Sequence, residues 1–517
     1  MTVLSTLQSS LEKCWTSFTE LIGDSNLEFL IENKWRTAAG AIVAYGVYKY
    51  LTRPKNLPPG PRGVPIFGAL PSLSQNILRD VIKFSKQYKS DIVSYYIGSQ
   101  LVVMLNSADA VKQCFVKSEE FNHRDQNNIR DLGLHERFFS APYDDNWSKL
   151  KSATISSMKA HGFGSALSEE NMKEQVYKMM VVLHNLENNT VDYADLRNLI
   201  AKANTCVIMK ILVNEIYEFD DPKIDDVIKK FVEFNIAFFE NVFMLFFGNS
   251  ILPAFIMWFV KRPFINKTRT RVNSVREIFY PFLEEHKESL DVNNSRDFMD
   301  DMLIKNATSQ HKMTDLEIID SCVIFSPDAI DTGATQTSWV FFYICWHPEV
   351  QEEMVKEIKN VCGDSPPSMK DRNSMPYCDA VILETLRLSS VAALSAPHLN
   401  KVDTTIKGYF IPKGTHVMAN LFGVHLDEKD FPEPHKFRPS RYISNGKLAN
   451  FENVLPFGAG RRKCVGEALM KHEIFLYVTS IVQKFKLSFV EKPTSMECDN
   501  MYRQCPKHQM KFVPRDQ

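Results

Sequence analysis

Phe457-Gly458-Ala459-Gly460-Arg461-Arg462-Lys463-Cys464-Val465-Gly466 sets a single thiol among glycines and cations near the end of the chain. Gly458, Gly460 and Gly466 carry no Cβ, so the backbone can turn tightly and come close to something flat and large on both sides of the sulfur. Arg461, Arg462 and Lys463, with nearby backbone amides, are expected to favour thiolate over thiol, and the thiolate is the form that ligates a metal. No second Cys or His stands at zinc-like spacing, so the expected partner is a metal already held by another chelator. A single axial thiolate on haem iron meets that description. A glycine loop around a buried, inert Cys accounts for an isolated thiol equally well. Ten ordered positions weigh against it.

The stretch matches Phe-Gly-x-Gly-x-Arg-x-Cys-x-Gly at every defined position, and on these residues the chain resembles the cytochrome P-450 family of haem-thiolate monooxygenases. The resemblance runs from Leu57-Pro58-Pro59-Gly60-Pro61 to beyond the Cys loop, with several independent motifs in the family's order. It implies a mainly α fold with a small β portion, one catalytic domain over residues 66–517, and an N-terminal membrane anchor. Cys464 would be the axial ligand of haem b, with Phe457 beside it in the same loop.

The bulk properties agree. With 517 residues, 44% hydrophobic content and a net charge of -1, the chain has ample length for a large core and no charge excess that suggests nucleic acid. Ten cysteines are scattered without CxxC pairs, which favours a reducing compartment over a disulfide framework.

Residues 1–36 read as a mixed leader whose Glu12, Glu20, Asp24, Glu28 and Glu32 argue against a mitochondrial transit peptide. An apolar stretch from Thr37 to Leu51, within a candidate anchor helix over 37–52, is short of the ~30 Å hydrocarbon core. Snorkelling by Lys34, Arg36 and Lys49 can extend it. Lys49, Arg53, Lys55 and Arg62 on its C-terminal side place the body in the cytoplasm by the positive-inside rule. A buried or interfacial alanine-rich helix is the other reading. The family resemblance favours the endoplasmic reticulum membrane, the microsomal location.

A proline-rich hinge over 53–65 then leads into the catalytic body. Leu101-Val102-Val103-Met104-Leu105 reads as a strand, and helical patterns dominate from about Asp109 onward. Between Phe238 and Val260 the chain is almost continuously apolar, but Glu240, Gly248-Asn249-Ser250 and Pro253 interrupt it. Two helix ends with a loop are expected there rather than a second span. In the family this region covers the active site and can rest in the bilayer; plain helix packing is the alternative.

Thr314-Asp315-Leu316-Glu317 has the capping-box form and announces a long helix running toward Trp346. Counted back from His347-Pro348, Asp328-Ala329-Ile330-Asp331-Thr332-Gly333 falls where the family has Ala/Gly-Gly-x-Asp/Glu-Thr-Thr. Oxygen activation needs protons, and an acid beside a hydroxyl can relay them, so Asp331 and Thr332 are the catalytic candidates. The departures are Asp328, Ala329 and Gly333, with Pro327 just ahead of them; a proline removes one helix hydrogen bond, and Asp328 adds a second carboxylate. A rival register aligns Thr332-Gly333-Ala334-Thr335, but the distance to Pro348 favours the first.

Glu384 and Arg387 stand one helical turn apart and can pair. In the family this Glu-x-x-Arg joins a downstream arginine in a structural network beneath the haem, here either Arg438 or Arg441. By the same resemblance Trp147, Lys151, Arg124, His398 and Arg462 would approach the haem propionates, with Lys151 standing where the family has arginine and so lacking the bidentate fork. Residues from Phe138 to Tyr143, the helix before Asp331, and Val391 to Ser395 would meet substrate.

The resemblance thus implies insertion of one oxygen atom from O2 into a lipophilic organic substrate such as a steroid, fatty acid, terpenoid or xenobiotic, with an animal microsomal flavour. No flavin or dinucleotide domain is appended, so electrons would come from an NADPH-cytochrome reductase, with cytochrome b5 as a further partner, docking on the cationic side around Arg461 and Lys463. Two rivals stay open: a haem-thiolate isomerase or dehydratase that rearranges a peroxide without reductase, and a non-catalytic haem or lipid binder.

Overall fold

A computed structural model describes residues 34–74, 76–125, 142–251, 254–308, 313–496, 498 and 501–515. Helices dominate it. In chain order they are α1 (Lys34–Leu51), α2 (Ile77–Tyr88), α3 (Ala108–Phe115), α4 (Asp145–Ala160), α5 (Glu169–His184), α6 (Tyr193–Val213), α7 (Pro222–Ile251) and α8 (Ala254–Ser289). They continue with α9 (Phe298–Thr308), α10 (Asp315–Trp346), α11 (Pro348–Cys362), α12 (Pro376–Ser389), α13 (Leu421–His425) and α14 (Glu467–Lys484).

The β portion is small, as expected. Strands β1 (Ile92–Ile97) and β2 (Gln100–Leu105) form a hairpin with Tyr95 opposite Val102. The next strands in the chain are β3 (Thr190–Asp192), β4 (His398–Leu399), β5 (Thr404–Ile406), β6 (Tyr409–Ile411) and β7 (His416–Ala419). Strand β7 lies parallel to β2 and antiparallel to β4, closing the sheet order β1-β2-β7-β4. After the short pair β8 (Ile443–Ser444) and β9 (Lys447–Leu448), β10 (Phe485–Phe489) and β11 (Gln509–Pro514) join β3 in a second sheet.

The capping box forms. The Glu317 amide donates to Thr314 Oγ1 at 3.3 Å and the Thr314 amide donates to Glu317 Oε2 at 2.7 Å, satisfying two donors at the start of α10. From there α10 runs 32 residues through the centre, packed by α6, α7, α8 and α14. Its apolar residues Ile318, Val323, Ile330, Trp339 and Phe342 are fully buried in the main core. A helix buried on all sides must satisfy its polar groups internally. Asp320 does so through a two-pronged pair with Arg276 of α8 at 2.6 and 2.7 Å.

Residues 1–33 of the expected leader lie outside the described residues. Helix α1 covers the expected anchor, but among the described residues no helix is long and apolar enough to cross a membrane. The expected hinge is docked rather than free. The Ser94 amide donates to the Pro59 carbonyl at 3.0 Å, the Phe410 amide donates to the Asn56 carbonyl at 2.8 Å, and a Cβ on Gly60 would strike the Ser94 carbonyl at 1.8 Å. The apolar run from 238 to 260 divides into two helices, α7 ending at Ile251 and α8 starting at Ala254. The Gly248-Asn249-Ser250 stretch, expected to break the helix, stays within α7. Every described cysteine is a free thiol.

Candidate active site

A cavity of about 1730 Å³ of empty space, counting its open mouth, lies between α10 and the Cys464 loop. Its mostly apolar wall includes Phe115, Phe163, Ile324, Phe325, Val391 and Leu394. The sequence candidates Arg124, Trp147, Lys151, His398, Phe457, Arg462 and Cys464 all line it, although they come from segments spread over more than half the chain.

The Cys464 amide donates to the Phe457 carbonyl at 3.0 Å and closes the loop. Gly458 and Gly460 hold φ of +71° and +75°, where an L side chain is strained. A Cβ on Gly460 would also strike the Phe115 carbonyl at 1.8 Å, whereas one on Gly458 would meet nothing within 4 Å. One glycine therefore docks the loop on α3, and the other leaves the cavity side clear.

The expected cationic activation of the thiol is not what the fold provides. Lys463 turns to Glu467 at 2.5 Å, Arg461 turns outward to Glu119 at 3.2 Å, and the Arg462 guanidinium donates to the Asn122 carbonyl at 2.9 Å while lying 4.0 Å from the Trp147 ring centre. Burial instead pushes Cys464 up to about 11, against a downward pull from the amides of Gly466 and Glu467. The positive groups that face the sulfur are thus the backbone N–H groups at the start of α14.

At another part of the wall, cations gather. Asp144 caps α4 by accepting from the Trp147 amide at 2.7 Å, which sets Trp147 and Lys151 one turn apart on the same face. Arg124 reaches the Ala396 and Pro397 carbonyls at 2.8 and 2.7 Å. His398 stacks on Phe115 at 3.7 Å and bonds the Phe121 carbonyl at 2.7 Å. Burial and then Arg462 press Arg124 down to about 9, burial presses Arg462 to about 10, and burial with Arg462 and Arg461 lowers Lys151. His398 is pushed well below its usual range by burial and by Arg124. Buried cations that repel one another are stabilised by an incoming anion. A flat macrocycle with carboxylate arms, seated above Cys464, fits this donor set.

The opposite wall is α10, which presents Asp328, Ala329, Thr332 and Gln336 to the cavity. The Thr332 hydroxyl donates to the Asp328 carbonyl. Asn235 donates to the Pro327 carbonyl at 3.1 Å and Asn204 to the Ile330 carbonyl at 3.3 Å, so side chains bond three carbonyls in the proline-containing turn. A Cβ on Gly333 would meet Asn204 Nδ2 at 2.7 Å, which explains glycine at that position. Asp331 does not line the cavity. It is 2% exposed, ion-paired with Arg197, and accepts from Tyr502 at 2.9 Å and Asn235 at 3.3 Å. Those three partners stand far away in sequence, and nothing in the local pattern pointed to them.

Below the loop, the Glu384 carboxylate receives Arg387 at 2.9 and 2.8 Å, Arg441 Nε at 3.0 Å and the Tyr442 hydroxyl at 3.0 Å. The choice between the two downstream arginines resolves on geometry: the guanidinium belongs to Arg441, while Arg438 contributes its backbone amide at 3.0 Å and sends its side chain to Glu433.

The cytochrome P450 family model matches residues 58–512. The chain belongs to the cytochrome P450 family. Members of this family are haem monooxygenases that use haem b with electrons from a reductase partner, and the P450 reading of the cavity accords with that chemistry. Similar proteins include cytochrome P450 2C16 of Oryctolagus cuniculus, 31% identical over 474 residues, and cytochrome P450 2C44 of Mus musculus, 30% identical over 476; each alignment covers 89% of this chain and 94% of the relative. Cytochrome P450 2C8 of Homo sapiens is 28% identical over 92% of this chain and 97% of its own length. A zebrafish cytochrome P450 solved with progesterone shares the fold, with a TM-score of 0.74 at 24% identity over 86% of this chain and 100% of that one.

Proposed function

We propose that this P450 inserts one oxygen atom from O2 into a lipophilic organic molecule, of the steroid, fatty acid, terpenoid or xenobiotic kind, drawing electrons from an NADPH-cytochrome reductase with cytochrome b5 as a further donor. The observation that carries the reading is the cavity in which a thiol, a cluster of buried cations and an apolar wall converge. Haem, when bound, supplies the oxygen chemistry, and a thiolate ligand favours cleavage of the oxygen–oxygen bond. The protein's own residues do the rest.

Cys464 would ligate the iron, held by the hydrogen bond from its amide to the Phe457 carbonyl and by the glycine turns at Gly458 and Gly460 ahead of it. Arg124, Lys151, Arg462, Trp147 and His398 would hold the cofactor's carboxylate arms, and those carboxylates would offset the burial, and then the mutual repulsion, that lower Arg124 and Lys151. Phe457 lines the same cavity and would stand beside the ligand in the loop. Thr332 holds a hydroxyl at the edge of the cavity, the group placed to pass a proton there, while Asp331 stands next to it in sequence as a carboxylate turned to Arg197, Tyr502 and Asn235. Glu384, Arg387, Arg438 and Arg441 keep the loop in place without touching substrate.

The membrane enters at α1, whose Val43, Tyr45, Tyr48 and Leu51 are exposed, as is nearby Phe67. We assign this face and the residues ahead of it to attachment at the endoplasmic reticulum, with the body toward the cytoplasm. Arg461 and Lys463 are exposed beside the Cys loop and offer cations to a reductase, each now resting on a single carboxylate. The reduced, carbon-monoxide-bound spectrum tests the assignment. A red-shifted Soret band supports a cysteine-thiolate haem; an unshifted band overturns Cys464 as ligand. Product that requires reductase separates oxygenation from rearrangement of a peroxide, and no product in either case leaves a binder.

A further inference from the structure

Asp328 stands out in the cavity. It sits on the α10 wall, exposed to the cavity, with Ala329 next to it in sequence, Phe325 one helical turn before it, and the Cys464 loop across the gap. Its charge reaches both Cys464 and Tyr502. Among the described residues no side chain hydrogen-bonds or ion-pairs with its carboxylate; the bond from Thr332 goes to its backbone carbonyl. Its place deep in the cavity wall, away from bulk water, pushes this carboxyl up to about 6. The other acid on the wall, Glu473 of α14, is 3% exposed, and burial holds it well above the usual carboxylate range.

An isolated carboxylate facing apolar surface costs stability unless something completes it. The cavity cations are suited to an anionic cofactor, which leaves Asp328 as the uncompensated group on the substrate side. We propose that Asp328 is a specificity residue that selects, among lipophilic molecules, those carrying a cationic nitrogen next to an apolar body. The ammonium ion pairs with Asp328 while Phe325, Ile324 and Val391 take the hydrocarbon. Ion pairing in a site shielded from water is stronger than the same contact at the surface. This inference rests on the oxygenase reading of the cavity and adds the class of substrate to it.

The test uses the haem-loaded full chain and two probes, a long-chain alkyltrimethylammonium ion and its uncharged tert-butyl isostere. A quaternary nitrogen has no lone pair, so direct ligation of iron cannot imitate the effect. Equilibrium dialysis should show the cation bound at least about tenfold more tightly than its isostere, with that preference lost in Asp328→Asn and in Asp328→Ala. Haem content and the carbon-monoxide spectrum of each variant report whether it folded. Equal affinities in the wild type, or a preference that survives both substitutions, would overturn the proposal. Binding of the neutral isostere without the cation overturns it too, while leaving the oxygenase reading standing. Absence of the thiolate haem spectrum removes that reading and the inference with it, whereas failure of both probes to bind in a protein that shows the spectrum overturns the inference alone.

Discussion

His425 Nε2 accepts the backbone amide of Leu455 at 2.9 Å, on the segment that leads directly into the Cys464 loop. The backbone carbonyl of the same histidine accepts Arg387 Nη1 at 2.7 Å, and its Nδ1 lies 2.8 Å from the Ser390 hydroxyl. One histidine, through its backbone carbonyl and its ring, therefore ties the buried Glu384 network to the loop that presents the thiol. Because Nε2 accepts, the ring must stay neutral. Burial, followed by the Arg387 charge, holds it down to about 3.

That value sets a pH dependence. The ordinary histidine pKa of 6.5 applies unfolded, so the unfolded chain binds the proton that the native state refuses. The stabilisation is complete above 6.5 and is lost as the pH falls from there toward 3. Thermal melts and haem retention should both decline across that window. His425→Phe, which deletes the acceptor, should lower haem occupancy at neutral pH and flatten the decline.

Cutting the Glu384 network should strip the cofactor rather than slow turnover. Glu384→Ala leaves Arg387 and Arg441 buried without their carboxylate, at a cost of about 3–5 kcal/mol. Haem-to-protein ratio and melting temperature measure it. Arg441→Ala should follow in direction, whereas Arg438→Ala should have little effect, because its side chain is 40% exposed and only its amide joins the network.

At the thiol itself, Cys464→Ala should abolish the red-shifted carbon-monoxide band. A variant that keeps the band excludes Cys464 as ligand. Thr332→Ala should bind haem normally but release more peroxide per NADPH consumed, and unchanged coupling would remove Thr332 from the proton route.

Gly333 supplies a packing test. Restoring the family's threonine there places a Cβ 2.7 Å from Asn204 Nδ2, and Gly333→Thr should destabilise by about 1–3 kcal/mol. Adding Asn204→Ala should recover part of the loss, as a double-mutant cycle read by denaturant melts. Additive losses would show that Asn204 is not the obstacle.

Much of this was legible along the chain because it depends on short-range chemistry. The Cys464 loop, the capping box at Thr314, and the Glu384–Arg387 pair are each fixed by a few adjacent residues, so their type and spacing carried the fold class and the family. The long helix to Trp346 followed from its cap and its apolar run. Other features needed partners that only folding brings together. The sequence places cations beside Cys464, but tertiary packing turns Lys463 and Arg461 onto carboxylates and raises the thiol through burial. Asp331 is adjacent to Thr332 in sequence, yet a helix of about 3.6 residues per turn sends it to another face, toward Arg197 and Tyr502. Asp328 reads as a motif departure in the sequence and becomes an unpartnered carboxylate only when the cavity forms around it. Local pattern determined which residues could do chemistry, and long-range packing decided which charges were compensated and which were left facing the substrate.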